Sequence, residues 1–175
     1  MWTISCIWFL LEAPRIDKVR CLDFLNKSSF NWAVFTNDDK RSKHLTLSIL
    51  GASSRNKIQD IVQKSFTENF EVNNCKLAFY SNSEIGAIED ITGMSFHKGA
   101  VYCGSFSKEK MEYLFKDEKV ESVALAVLVD NKEIGILMLG SYERTRYLGD
   151  EDTTFIEYIR DILEKKLELI DSLDA

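Results

Sequence analysis

Val120 to Gly140, VESVALAVLVDNKEIGILMLG, decides the fold. Val120 to Val129 is an almost unbroken apolar run rich in β-branched residues. That is the pattern of a strand covered on both faces. Asp130-Asn131-Lys132-Glu133 is a short polar loop, and Ile134 to Leu139 is apolar again. Two strands joined in this way form an antiparallel hairpin. A hairpin apolar on both faces needs covering layers from the rest of the chain.

The downstream sequence supplies one layer. Phe155, Ile156, Ile159, Ile162, Leu163, Leu167 and Ile170 recur at helical spacing and predict a long amphipathic helix. Asp150, Glu151 and Asp152 place carboxylates at its start, where the helix dipole favours them. Such acids need no metal ion to explain them. Gly140 to Gly149 reads as a polar loop.

The upstream sequence supplies more. Ser53 or Ser54 can cap a helix whose apolar face is Ile58, Ile61, Val62, Phe66 and Phe70. Before it, Leu45, Leu47 and Ile49 alternate as in a strand, but Leu45, Ile49 and Leu50 fit a helix ending near Gly51. The helix is favoured, with Gly51 in the place of a C-terminal cap. Cys75 to Tyr80 has strand composition, and Ser81-Asn82-Ser83 reads as a turn. Glu84 to Ile91 then predicts a second strand. Thr92 to Gly99 reads as a loop and Ala100 to Cys103 as a short strand. Ser107 can cap a short helix carrying Met111, Leu114 and Phe115.

Antiparallel strands with helices gathered on one face make an α+β sandwich. Residues 41–175 form this unit. Residues 1–40 read as a helical N-terminal extension suited to dimerisation, with Ile16, Val19, Leu22 and Leu25 at helical spacing and Asn26 to Ser29 as a break. The apolar segment Met1 to Leu11 is shorter than the roughly 20 residues a membrane-spanning helix needs. It also lacks the basic start of a signal peptide. It reads as a surface awaiting a protein partner, and no membrane association is expected.

Composition narrows the function classes. The net charge of −6 and the scattering of Lys and Arg among a larger number of acids disfavour phosphate-backbone binding, so no nucleic acid is expected. The four cysteines have no C-x-x-C pair and there are two histidines, which leaves no metal-ligand spacing. Nothing marks secretion, so a cytoplasmic protein with reduced thiols is expected. No G-x-S-x-G, P-loop or G-x-G-x-x-G motif is present, and the sequence names no cofactor.

The closing half of the chain resembles a GAF domain. In that superfamily an apolar strand, a short loop, a strand ending in a G-x-L-x-L-G-S-like sequence and a final helix recur together. Gly135, Leu137, Leu139, Gly140 and Ser141 fit that sequence, and Arg146-Tyr147 fits an Arg-aromatic step before the last helix. Cys103-Gly104 and Leu114-Phe115 are similar to features of an uncharacterised bacterial GAF-like family. Asp152-Thr153 stands where that family carries Gly-Thr. The resemblance covers roughly residues 40 to 170. It implies a six-stranded antiparallel sheet, helices on one side, a small-molecule pocket on the other, and homodimers through terminal helices.

Six residues are candidates for the pocket: Phe96, His97, Tyr102, Cys103, Phe115 and Arg146. Phe96, Tyr102 and Phe115 lie in the segment that caps the pocket in GAF domains and can stack on a flat ligand, although aromatics there are more often core. His97 can touch a ligand or bind haem, but a loop histidine without a partner motif is usually solvated. Arg146, like Arg144, can hold a phosphate or carboxylate bidentately or simply pair with nearby acids. One GAF branch reduces methionine sulfoxide through pocket cysteines. Cys103 matches in position, but the strand that would carry the branch's second cysteine reads Glu121-Ser122-Val123-Ala124-Leu125-Ala126. A lone cysteine of this kind is usually a small packing residue.

The sequence therefore points to a non-enzymatic GAF-like binding or regulatory domain that acts as a dimer, in signalling or sensing, with an unknown ligand. A thiol-dependent reductase of the same fold is one alternative. A ligand-free dimerisation module, its pocket filled by some of its own eleven phenylalanines, is the other.

Overall fold

The computed structural model describes residues 39–129, 133–148 and 150–174. The helical extension expected over residues 1–40 lies almost wholly outside them, as does the apolar segment Met1 to Leu11.

Nine elements follow one another: α1 (Asp39–Gly51), α2 (Arg55–Asn69), β1 (Asn74–Tyr80), α3 (Asn82–Thr92), β2 (Val101–Gly104), α4 (Lys108–Phe115), β3 (Ser122–Val129), β4 (Ile134–Ser141) and α5 (Asp150–Asp174). The described strands form one antiparallel sheet in the order β1-β4-β3-β2. The β3–β4 hairpin lies at its centre, paired from Ser122↔Ser141 to Val129↔Ile134. The fold is α+β, as the residue pattern predicts.

Alternation along β3 separates two cores. Ala124, Ala126 and Leu128 face one side, and Val123, Leu125 and Val127 the other. All six are fully or almost fully buried, which is why the run lacks polar residues. The first side receives α2 on β1 and α5 on β3 and β2, with α1 packed over α2 and α5. The small side chains of Ala124 and Ala126 leave room there for Ile156, Ile159, Leu163 and Leu167 of α5. Each such residue, fully buried, contributes about 1.5–3 kcal/mol relative to exposure. Phe70 at the end of α2 packs on Phe66 and on Phe155 of α5, with centroids 5.2 and 5.4 Å apart. At the far end, Arg55 donates to Asp171 at 2.9 Å and to Glu133 at 3.1 Å. Both ends of the α2–α5 contact are thereby fixed.

The two glycines of the β4 motif have a steric cause. A Cβ at Gly135 would lie 3.0 Å from the Phe79 ring, its cross-strand partner on the helix side. A Cβ at Gly140 would lie 2.9 Å from the Phe115 ring and 3.1 Å from Val120, on the opposite side. Each glycine makes the hollow in which an aromatic ring lies.

One element differs from expectation. Glu84 to Ile91, read as a strand, belongs to the helix α3. Ser81 and Glu84 form a complete capping box: the Ser81 side chain accepts from the Glu84 amide, and the Ser81 amide donates to Glu84 at 2.8 Å. Ile85, Ile88 and Thr92 then fall on one buried side, and Gly93, at φ 63°, ends the helix in a left-handed turn. This local chemistry outweighs the β-branched composition. The implied six-stranded sheet is accordingly four-stranded among the described residues, and α3 with α4 covers the second face.

Candidate functional site

The second face of the sheet carries a core of its own. Its core joins Val123, Leu125, Val127, Ile136 and Met138 to Ile85 and Ile88 of α3, to Met94, Phe96 and Ala100 of the connecting segment, and to Met111, Leu114 and Phe115 of α4. The segment between α3 and α4 is tied down by its own backbone. The Phe96 amide donates to the Glu89 carboxylate at 2.6 Å, the Tyr102 hydroxyl donates to the Ser95 carbonyl at 2.7 Å, and the Val127 amide donates to the Ala100 carbonyl at 2.9 Å.

Three of the six candidate residues come together here. Phe96 is buried and meets half-buried Tyr102 edge-to-face, with centroids 6.5 Å apart. Phe115 is buried in the same cluster against Gly140. The two phenylalanines are part of the packing beneath α3 and α4, so they fill the space a flat ligand would occupy.

The other three lie elsewhere. His97 is exposed, with its Nδ1 3.4 Å from the Ser95 hydroxyl. Cys103, paired with Ala124, packs against the helix-side core on the face opposite Tyr102. The other described cysteine, Cys75, is buried in that same core, and burial pushes its thiol up to about 12. Arg146 donates to the Phe70 carbonyl at 2.6 Å and to the Glu71 carbonyl at 3.4 Å. It satisfies carbonyls at the C-terminal end of α2, where a cation also matches the helix dipole. Among the described residues no three His, Cys, Asp or Glu side chains are grouped to hold a metal ion, and no helix is long and apolar enough to cross a membrane.

A cavity lies beside that core. A groove of about 670 Å³ lies among β1, α3 and α4, open to solvent and lined by Lys76, Tyr80, Ile88, Glu109, Glu112, Tyr113, Leu114 and Lys116. The β1 wall arises from strand alternation: Lys76, Ala78 and Tyr80 are successive residues on the second face, paired across to Met138, Ile136 and Ile134. Ala78 leaves the space between the two long side chains. The α4 wall arises from helical spacing: Glu109, Glu112, Tyr113 and Lys116 recur at three, four and seven residues. None of the eight is among the six candidate residues, although Leu114 belongs to the Leu114-Phe115 feature. Taken alone, the α4 stripe reads as a solvated helix face, and only the approach of β1 turns it into a wall.

A polar knot fixes how α4 lies on β1. Asp117, just after α4, accepts from the Tyr142 hydroxyl at 2.9 Å, from the Lys119 amide at 3.0 Å and from the Asn74 amide group at 3.5 Å. The Lys119 backbone bond and the Tyr142 bond hold the Asp117 carboxyl below its ordinary value, and the same contact raises the Tyr142 phenol. The end of α4 is thus moored to the start of β1.

An α+β domain with helices on both faces of its sheet and a groove on the second is the class that these features define. The chain matches, over residues 30–171, the family described as "Protein of unknown function, DUF484", and belongs to that family. No curated protein matches it. Among solved structures it is similar to a domain assigned to a two-component sensor histidine kinase protein from Sinorhizobium meliloti 1021. The two share 12% identity at a TM-score of 0.49, over 69% of this chain and 94% of that one.

Proposed function

We propose that this protein is a non-enzymatic GAF-like sensor domain that binds a small molecule in the groove among β1, α3 and α4 and acts as a homodimer. The observation that carries this reading is the groove itself. It lies on the sheet face where the sequence resemblance places a pocket, and aromatic, aliphatic and charged groups converge on it. Occupancy would draw α4 and the segment before it against β1. The centre of the sheet would pass that change to α5 on the far face. The reductase reading has less support, because Cys103 packs toward the helix-side core while the groove lies on the other face.

Native mass spectrometry of the full chain, purified without added ligand, tests the proposal. The expected result is a dimer carrying a mass that leaves on denaturation and is lost in Tyr113→Ala. An adduct retained in that variant would place the ligand elsewhere.

A second reading rests on a separate observation. Phe96, Met111 and Phe115 already fill the space under α3 and α4, as a ligand-free dimerisation module would require. A dimer that never carries an adduct, and whose stability no small molecule changes, would favour that module. A monomer at micromolar concentration would contradict both.

A further inference from the structure

We propose that the segment from Gly93 to Gly99 is a strap that couples α3 on the grooved face to α5 on the opposite face, fastened to α3 by Glu89 and to α5 by Arg160. It rests on the sensor reading for its use, and it deepens that reading by naming a path from a helix at the groove to α5.

The strap has hinges at its ends and a seat in its middle. Gly93 and Gly99, at φ 63° and 78°, hold left-handed conformations in which any other residue would be strained. A few such positions can absorb the backbone rotation of a moving segment. Between them burial alternates. Met94 and Phe96 enter the second core, while Ser95 and His97 are exposed. Buried Ala100 then leads into β2, the edge strand of the described sheet.

Each end has its own fastening. The Phe96 amide donates to the Glu89 carboxylate at 2.6 Å, and Glu89 follows Ile88, which lines the groove. At the other end the Arg160 guanidinium donates from Nη1 to the Gly99 carbonyl at 3.3 Å. Its Nε and Nη2 both donate to Asp161 Oδ1, at 2.9 and 2.7 Å, which fixes the guanidinium and leaves Nη1 for Gly99. The Arg160 side chain is only 15% exposed against 53% for Asp161, so the arginine is drawn onto the strap rather than extended into water. The middle is held by Tyr102, whose hydroxyl donates to the Ser95 carbonyl and whose ring meets Phe96 edge-to-face. The Ala100 amide, donating to the His97 carbonyl at 3.0 Å, closes the turn at Gly99.

These contacts form an unbroken series from Ile88 through Glu89, Phe96 and the Gly99 turn to Arg160. Its first members belong to one core and α5 to the other. The strap thus joins the two faces beside the edge strand, apart from the central β3–β4 hairpin. A displacement of α3 at the groove pulls on Phe96 through Glu89, and the turn carries it to the Arg160 side chain.

Native-state amide hydrogen exchange of the full chain, as the parent, Glu89→Ala, Arg160→Met and the double variant, tests the coupling. Both side chains are partly exposed, and the amides of β3 and β4 report any general loss of stability. Arg160→Met should raise the opening equilibrium of the Phe96 amide about tenfold, although Arg160 bonds only to the far end of the strap. Glu89→Ala should do the same to the Ala100 amide. A tenfold change is the scale of one charge-assisted hydrogen bond. The double variant should exceed neither single effect by much, because a strap released at one end is already loose. Effects confined to the amides beside each lost bond, effects that multiply in the double variant, or a rise shared equally by β3 and β4 would each overturn the proposal. The exchange is read in the free chain, so the strap stands or falls whatever native mass spectrometry finds in the groove. An adduct without the cross-effects leaves the sensor reading with another route to α5.

Discussion

The two faces of one sheet are built from different materials. On the helix side the core is leucine, isoleucine and alanine with a few aromatic rings, and long helices cross it end to end. On the other side branched aliphatics such as Ile85, Val123, Leu125 and Ile136 are joined by Met94, Met111 and Met138, every described methionine, and by Phe96 and Phe115, under two shorter helices and a looped segment. Branched aliphatic side chains have few rotamers and pack in one way. Methionine is unbranched and fills irregular space in several ways. The helix face, which holds no described methionine, then has the character of a scaffold, and the methionines leave the grooved face more ways to pack. That division suits a domain that must respond on one side and hold its shape on the other.

Neighbouring residues on β4 give the strongest contrast between the faces. Leu137 points to the helix side and Met138 to the grooved side, both buried. Leu137→Ala should cost about 3–5 kcal/mol in chemical denaturation, because the rigid side cannot collapse into the cavity. Met138→Ala should fall near 2 kcal/mol, at the low end of the same range. Equal costs would remove the contrast.

Gly140→Ala comes next. The added methyl group would press on the Phe115 ring and on Val120, and overpacking of this kind costs about 1–3 kcal/mol. The double variant Gly140→Ala with Phe115→Leu should recover part of the loss in the same assay, whereas strain confined to the backbone would not be relieved.

Arg146→Gln should cost about 1–2 kcal/mol, from charge-assisted bonds to the Phe70 and Glu71 carbonyls. It should leave ligand binding unchanged, since the arginine serves the scaffold side. A binding defect without loss of stability would return Arg146 to the site.

The smallest effect is electrostatic and exposed. Asp117 is held below its ordinary value, chiefly by the Lys119 backbone bond and the Tyr142 hydroxyl. A depressed carboxyl contributes stability that is present above its unfolded value, 3.8, and is lost as the pH falls through the folded one. Thermal unfolding of Asp117→Asn should match the parent at acid pH and fall slightly below it near neutrality.

Much of the fold was legible from residues. The β3–β4 hairpin announced itself because a strand covered on both faces has no polar positions to spare, and α2 and α5 because their apolar residues keep helical spacing over several turns. α3 was missed although its signal was present. Ser81 and Glu84 are three apart, as a capping box requires, and Ile85 and Ile88 share a side, yet the isoleucines weighed toward a strand. Of the candidate residues, Phe96, Tyr102 and Phe115 lie on one face. Cys103 is one residue from Tyr102, and the two-residue period of a strand sends it to the other side. The groove residues are illegible because their chemistry depends on β1, α3 and α4 standing around one groove, a tertiary arrangement that no segment reveals alone.

Native-state amide hydrogen exchange of the free chain tests the division between the faces most directly. Amides from Asn82 to Phe115 should open with free energies well below that of global unfolding, while those of β3, β4 and α5 should exchange only when the whole domain unfolds. If both sets open at the same free energy, the grooved face is as rigid as the scaffold, and a sensor built on its repacking is contradicted.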